Sequence, residues 1–144
     1  MTMMNQEMKR FNHLTSEINA AYHETALKLG ISDSAMQILY TICNNGESCL
    51  ISDICRLTGI SKQTINSSLR KLEGEKIIYL EVYKGRSKII RLTEHGKMLT
   101  EKTVMKVIEI ENKIFEAWSE EKRNLYLSLT QEYLTMFQNE VKQL

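Results

Sequence analysis

The chain has 144 residues, of which 42% are hydrophobic and 26% charged, so it can bury a core and has the composition of a soluble globular protein. It begins with no signal-peptide pattern and contains no apolar run that approaches a membrane span, so we expect a cytoplasmic protein with no membrane partner. The formal net charge of +1 does not by itself suggest nucleic acid, and the absence of proline is typical of long helices.

Two helices are predicted ahead of the central segment. The first spans residues 1–29 and ends at Gly30, and its apolar residues lie along one side: Met8, Phe11, Leu14 or Thr15, Ile18, Tyr22 and Ala26. The second begins at Ser34, which has the spacing of a capping box with Gln37, and its apolar residues are Met36, Leu39, Tyr40 and Cys43. The turn-forming residues 44–46 end this helix.

A helix-turn-helix follows. Residues 50–57 predict a short helix whose apolar side is formed by Ile51, Ile54, Cys55 and Leu57. Gly59 suits the left-handed conformation that ends a helix, and Ser61 stands where an N-cap begins the next one. In that next helix the apolar residues recur at spacings of four and three, which defines one buried stripe: Ile65, Leu69 and Leu72.

The face opposite that stripe is polar and basic, with no carboxylate before Glu73. Such a face is typical of a helix that enters the major groove of DNA. We therefore predict DNA contacts from Ser61, Lys62, Gln63, Thr64, Asn66, Ser67, Arg70 and Lys71. Within this set, Gln63, Ser67 and Arg70 are expected to reach the base edges.

A hairpin is predicted next. Hydrophobic residues alternate with other types on both sides of a short turn, which is the pattern of two half-buried strands: Ile78, Leu80 and Val82, then Ile90 and Leu92. The turn is Lys84-Gly85-Arg86-Ser87, and we expect its cations to contact DNA together with Lys88. A helix-turn-helix followed directly by a basic-tipped hairpin is a winged helix-turn-helix.

These segments resemble the MarR (multiple-antibiotic-resistance) family of transcription regulators. The resemblance rests on residues 59–65, on Leu69-Arg70-Lys71-Leu72-Glu73 before the strand start at residues 77–78, and on Arg86 six residues before Leu92-Thr93-Glu94-His95-Gly96. It extends over nearly the whole chain in length and helix order. One position departs from the family pattern, because Lys84 stands where the family usually has an Asp two residues before the wing arginine.

The resemblance implies a homodimer that binds double-stranded DNA. It also implies a small-molecule effector, held in a pocket between the winged domain and the dimer helices. Residues that could line such a pocket here are Tyr22, Met36, Tyr40 and Met98, and the alternative is that these four belong to an ordinary core.

Two further helices complete the chain. Thr93 caps a long helix that reaches about Trp118 and carries Met98, Val104, Val107, Ile108, Ile114 and Phe115. Ser119, followed by Glu120 and Glu121, begins a last helix to Leu144 with one broad apolar stripe: Tyr126, Leu127, Leu129, Tyr133, Leu134, Phe137 and Val141. The terminal helices carry more apolar surface than a small winged domain can bury, which favours pairing with a second copy.

Charge is distributed unevenly along the chain. Between Arg56 and Arg91, nine Lys and Arg accompany three Glu, a net charge of +6, so the remainder of the chain carries −5. Lysines on solvated strands and helices are common, but a basic segment that coincides with a helix-turn-helix indicates a phosphate-binding surface.

The sequence offers little for other chemistry. Cys43, Cys49 and Cys55 are spaced by six and match no zinc pattern, so we expect no metal site and no cofactor. Cys43 and Cys55 are expected in the core, whereas Cys49 is expected in a loop before a helix, where exposure would permit a thiol switch. We find no catalytic motif and predict that the protein is not an enzyme.

The sequence thus predicts a mostly α protein with a small β-hairpin wing, formed as a single unit over residues 1–144. The winged helix-turn-helix occupies residues 33–93, and residues 1–30 and 94–144 form a helical dimerisation region. The predicted function is that of a homodimeric repressor that binds a pseudo-palindromic operator and is released by a signal. The alternatives are a winged-helix protein-interaction module and a thiol-based redox sensor of the same fold.

Overall fold

A computed structural model describes the backbone of residues 2–144 and the side chains of residues 5–144. The chain divides into two compact units, one ending at Met105 and the other spanning Lys106–Leu144. In chain order the elements are α1 (Thr2–Leu29), α2 (Asp33–Asn44), β1 (Ser48–Leu50), α3 (Ile51–Thr58), α4 (Lys62–Gly74), β2 (Ile78–Val82), β3 (Lys88–Leu92), α5 (Glu94–Lys102), α6 (Val104–Ala117) and α7 (Glu120–Val141). The predicted mostly helical fold with a β wing is confirmed; a helix start at Met1 lies outside the described residues.

The sheet has three strands rather than two. β3 is the central strand and pairs antiparallel with β2 on one side and with β1 on the other, so that Ile90 lies between Leu80 and Cys49. β1 was not predicted, because a strand of three residues is too short to show a periodic pattern.

The core of the first unit is formed by side chains from all of its elements except α5, whose half-buried Leu99 packs against it. It comprises Ala26, Met36, Ile38, Leu39, Ile42, Cys49, Ile54, Ile65, Leu69, Leu72, Ile77, Ile78, Ile90, Leu92 and Val104. The stripe predicted for α2 omitted Ile38 and Ile42, which are fully buried, because α2 contacts neighbours on more than one side. On α1 only Ala26 of the predicted stripe is buried, and the stripe from Met8 to Tyr22 is exposed.

The cap predicted for α2 was wrong. Ser32 is the N-cap, with extended backbone angles, and its hydroxyl accepts a hydrogen bond from the Ala35 amide at 3.1 Å. The hydroxyl of Ser34 instead accepts a hydrogen bond from the Ser68 hydroxyl at 2.7 Å, which joins α2 to α4. A capping-box spacing is a local signal, and here a serine two residues earlier occupies the cap.

The long helix predicted from Thr93 to Trp118 is interrupted at Thr103. Its backbone angles there (φ −123°, ψ −96°) are not helical, and its amide bonds to the Thr100 carbonyl. The buried Thr103 hydroxyl donates to the Leu99 carbonyl at 2.8 Å. Threonine hydroxyls that bond to backbone carbonyls compete with helix geometry, but neither glycine nor proline marks this break in the sequence.

The second unit contains most of α6 and all of α7. Phe115, Trp118 and Tyr126 form an aromatic cluster with ring-centroid distances of 5.2 to 6.2 Å. Arg123 donates to the carbonyls of Phe115 and Trp118, at 3.0 and 2.7 Å, and so caps the end of α6. Ser119 caps α7 as predicted, by accepting from the Lys122 amide at 3.1 Å.

Candidate nucleic-acid interface

Helix α4 is built as the sequence predicted. Gly59 has a φ of +70° and ends α3, and Ser61 caps α4 by accepting from the Thr64 amide at 3.2 Å. Ile65, Leu69 and Leu72 are buried. The eight residues from Ser61 to Lys71 that were predicted to contact DNA are all exposed, so α4 presents its polar face to solvent while its apolar stripe fixes it to the core.

The wing ends in a tight turn. The Tyr83 amide donates to the Ser87 carbonyl at 3.0 Å, and the Ser87 amide donates to the Lys84 carbonyl at 2.9 Å. Gly85 has a φ of +54°, a conformation that glycine adopts without strain. This geometry places Lys84, Arg86 and Lys88 at the tip, and all three side chains are exposed.

The cations of the basic segment fall into two groups. Arg56 pairs with Asp53 at 3.1 Å, and Arg91 pairs with Glu81 at 2.6 Å, so their charges are partly compensated within the fold. The other seven form no ion pair among the side chains that the structure describes: Lys62, Arg70, Lys71, Lys76, Lys84, Arg86 and Lys88. Six of these seven, all except Lys76, were predicted to contact DNA, whereas the internal pairing of Arg56 and Arg91 was not anticipated.

Hydrogen bonds join the start of α5, directly after the wing, to the segment that follows α4. The Thr93 amide and hydroxyl both donate to the Ile77 carbonyl, at 3.0 and 3.1 Å. The Thr93 hydroxyl also accepts from the Gly96 amide at 2.9 Å and so caps α5. The segment from Leu92 to Gly96 therefore connects the end of α4, the wing and α5 through hydrogen bonds.

The predicted loop position of Cys49, which could have exposed its thiol, was wrong. Cys49 lies in β1 with 5% of its surface exposed, opposite Ile90 of β3. Burial, with a smaller contribution from the negative charge of Asp53, raises the pKa of the Cys49 thiol to about 11. Burial also raises the pKa of Cys43. Cys43 and Cys55 are half-buried against the core, as expected.

The four predicted pocket residues occupy different environments. Met36 is buried in the core and Tyr40 is half-buried against it, whereas Tyr22 and Met98 are exposed, Met98 by 59%. A cavity of about 300 Å³ lies elsewhere in the first unit, between the α1–α2 junction, α4 and α5, and none of the four residues lines it. Lys71, predicted to contact DNA, is among the residues that do.

No cluster of three or more His, Cys, Asp or Glu suited to a metal ion occurs among the described residues. In the same part of the chain, no helix has both the length and the apolar content to cross a membrane.

Residues 29–85 match the profile of the MarR family. The structure of NMB1585, a MarR family regulator from Neisseria meningitidis, is similar with a TM-score of 0.80 and 18% identity, covering 96% of this chain and 99% of that chain. S. aureus MepR in a DNA complex is similar with a TM-score of 0.67 and 22% identity, covering 90% of this chain and 96% of that chain. NadR in complex with 4-hydroxyphenylacetate is similar with a TM-score of 0.69 and 20% identity, covering 85% of this chain and 88% of that chain. No curated protein sequence matches the chain.

Proposed function

Because residues 29–85 match the profile of the MarR family and the chain has the fold of MarR-family regulators, we propose that it is a homodimeric transcriptional repressor. In this proposal α4 enters the major groove of a pseudo-palindromic operator and the wing contacts the adjacent minor groove. A signal, such as a small molecule, releases the protein from DNA. The match to the MarR profile supports a transcription regulator rather than an enzyme.

The observation that carries this proposal is the group of six exposed cations without carboxylate partners on α4 and the wing. Cations that are already paired gain little from phosphate contacts, whereas these six can replace the counterions of a DNA backbone. Between them lie exposed amide and hydroxyl side chains that can bond to base edges, among them Gln63 and Asn66. The proposed site thus combines phosphate attraction with groups that can read sequence.

The exposed apolar residues of α1 and α7 support a homodimer. α7 is described along its whole length, and within one chain it buries none of its side chains. Large apolar residues on it are about half exposed, namely Leu125, Tyr126, Leu127, Leu129, Tyr133, Leu134, Met136 and Phe137. Contiguous apolar surface of this kind usually marks an interface, and a two-fold dimer would present two copies of α4 to a two-fold-related site.

A small-molecule signal is supported by analogy with NadR, which has been solved in complex with 4-hydroxyphenylacetate. Tyr22, Met36, Tyr40 and Met98 remain the proposed pocket residues. A thiol-based signal is disfavoured, because burial and the raised pKa of Cys49 suppress the reactive thiolate. A winged helix used only to bind proteins would not need six unpaired cations, so that alternative is less well supported.

The test is a gel-shift titration with DNA from upstream of the protein's own gene, followed by footprinting. We expect a protected pseudo-palindrome and an affinity that falls steeply as salt rises, since phosphate contacts release counterions. An equal affinity for this DNA and for random DNA would contradict the proposed regulator, and an absence of DNA binding would favour the protein-interaction module.

A further inference from the structure

One side of α4 borders the cavity of about 300 Å³ that lies between the α1–α2 junction, α4 and α5. Ser68, Lys71 and Glu75 line this cavity at spacings of three and four residues, so they share one side of the helix. None of the four pocket residues implied by the family resemblance is among its lining residues. The cavity is therefore a separate candidate site for a small molecule.

The walls and the mouth of the cavity differ in chemistry. The wall residues are apolar and buried or half-buried: Ile31, Ala35, Leu39, Leu72, Ile77 and Leu99. Lys71, Glu75 and His95 also line the cavity but are exposed, which places their ionisable groups at the mouth. A volume of about 300 Å³ is at the lower end of the range for small-molecule sites, so the cavity suits a molecule with a single ring or branched chain.

The charges at the mouth are not compensated within the fold. Among the described residues, Lys71, Glu75 and His95 form no ion pair. Lys71 precedes Glu75 by one turn, which is the less favourable order for an ion pair along a helix. A bound molecule can therefore place a carboxylate against Lys71 and an ammonium group against Glu75. His95 has at least one ring N–H in either charge state and can donate to the same carboxylate.

We propose that this cavity binds an apolar α-amino acid, and that the bound carboxylate competes with DNA phosphate for Lys71. A zwitterion complements the two opposite charges at the mouth, and an apolar side chain complements the walls. Apolar α-amino acids are the smallest common molecules that combine these three features. The regulatory half of this inference rests on the proposed DNA-binding function, whereas the binding half does not.

Lys71 stands between the cavity side of α4 and the DNA-facing side. It follows Ser67, which is predicted to reach base edges, by four residues, and it follows Ser68 of the cavity by three, so it neighbours both on the helix surface. An ammonium group that pairs with a ligand carboxylate is withdrawn from a DNA phosphate. Occupancy of the cavity therefore weakens DNA binding, and by linkage DNA weakens amino-acid binding by the same factor.

The first experiment is calorimetric titration of the full-length protein, without DNA, with L-phenylalanine and L-leucine. We expect at least one of them to bind with a Kd below about 1 mM. Two analogues of phenylalanine test the charges: 3-phenylpropionate lacks the ammonium group and phenethylamine lacks the carboxylate. Each should bind at least about tenfold more weakly than L-phenylalanine, because each leaves one charge at the mouth without a partner. Equal binding of 3-phenylpropionate, or no binding of either amino acid, would overturn the assignment.

A variant of the acidic residue tests the ammonium contact. Glu75→Gln should weaken the binding of L-phenylalanine at least about tenfold and should not weaken the binding of 3-phenylpropionate, which has no ammonium group to lose. Glu73→Gln is the matched control, because Glu73 is an exposed glutamate on the same helix that does not line the cavity. Equal losses for both ligands in Glu75→Gln, or a loss in Glu73→Gln, would contradict the contact.

The second experiment measures operator affinity over a range of salt concentrations, with and without saturating amino acid. We expect the amino acid to weaken binding and to reduce the slope of log K against log salt by about 2 for a dimer, since each protomer loses one phosphate contact. Lys71→Ala should have the reduced slope already and should not respond to the amino acid. Lys62→Ala removes a cation from the same helix outside the cavity, so its slope should also be reduced but it should still respond.

The outcomes separate this inference from the proposed function. If the amino acid weakens DNA binding by Lys71→Ala as much as by the wild type, competition for Lys71 is wrong. If the wild type binds its operator and the amino acid has no effect, the regulatory role of the cavity is wrong and the proposed function stands. If the wild type binds no DNA, the proposed function is refuted, and calorimetry still decides whether the cavity binds the amino acid.

Discussion

Gly96 lies directly against the backbone carbonyl of Ile77. A β-carbon at position 96 would stand 2.0 Å from the Ile77 oxygen, and the same oxygen accepts hydrogen bonds from the amide and hydroxyl of Thr93. The Thr-x-x-Gly spacing is thereby explained by packing: Thr93 caps α5, and the absence of a side chain three residues later lets α5 approach the corner between α4 and β2.

The first prediction concerns this contact. Gly96→Ala should destabilise the fold by about 1–3 kcal/mol, the usual cost of overpacking, because the obstructing atom is backbone rather than a mobile side chain. Thermal or urea unfolding measures the effect. Gly74→Ala is the control, since Gly74 is helical and has no atom within 4 Å of the added carbon; it should be neutral or slightly stabilising. Equal stability of both variants would contradict the close approach.

The second prediction concerns sequence readout by α4. Gln63→Ala or Arg70→Ala should each cost about 1–3 kcal/mol at the operator, because Gln pairs with adenine and Arg with guanine through two hydrogen bonds. The loss on random DNA should be much smaller. Gln37→Ala, which removes an exposed glutamine from α2, should bind normally. Equal losses on operator and random DNA would show that the side chain contacts phosphate only.

The third prediction concerns Arg86. Arg86→Ala should weaken operator binding and reduce the preference for A·T-rich flanks, while oligomeric state and unfolding temperature stay unchanged, because the side chain is exposed and unpaired. Because Lys84 rather than an acidic residue stands two residues earlier, no carboxylate there holds Arg86, and we expect its side chain to lose more entropy on binding.

Arg86→Lys should restore only part of the affinity, since lysine is more strongly hydrated and lacks the planar fork of arginine. Lys102→Ala, an equal charge loss outside the basic segment, serves as the control. An undiminished flank preference in Arg86→Ala would assign the residue to phosphate contact alone.

The fourth prediction concerns the dimer. Phe137→Glu should raise the dimer dissociation constant at least tenfold, because Phe137, 57% exposed in one chain, would place a charge in an apolar interface. Sedimentation equilibrium measures the change. Thr135→Glu introduces the same charge on the opposite side of α7, where the exposed polar residues Asn124, Ser128 and Asn139 also lie, and should remain dimeric. A wild-type monomer, or two variants with the same mass distribution, would remove α7 from the interface.

The fifth prediction concerns Cys49. In a variant with Cys43 and Cys55 replaced by serine, a thiol reagent at pH 8 should react with Cys49 at least tenfold more slowly in the native protein than in urea. Since the folded pKa is about 11 and the ordinary value 9.0, the unfolded thiol loses its proton first as pH rises. The contribution of Cys49 to stability is therefore complete below pH 9 and declines between about pH 9 and 11. A rapid reaction of Cys49 in the native protein would support the redox-sensor hypothesis again.

The helix-turn-helix was predictable because the sequence patterns that specify it are local. The left-handed Gly59, the cap at Ser61 and the stripe Ile65, Leu69 and Leu72 each depend on residues within a turn or two of one another. The same holds for the wing turn and for the cap at Ser119. Periodicity and capping are encoded by near neighbours, so they can be identified without knowledge of the fold.

Contacts between distant segments were not predictable in this way. The strand β1, the burial of Cys49 and the choice of Ser32 over Ser34 as a cap all depend on which segments meet in space. The pairing of Arg91 with Glu81 likewise follows from the β2–β3 register.

The sequence by itself therefore determined the helix-turn-helix, the basic wing and the polar face of α4, because short-range sterics, capping and periodicity encode them. Only the tertiary structure decided which cations stay unpaired, which thiols are shielded and where the helix after the wing breaks. The physical reason is that ion pairing, desolvation and competition for backbone carbonyls depend on distances between residues that the chain brings together only when it folds.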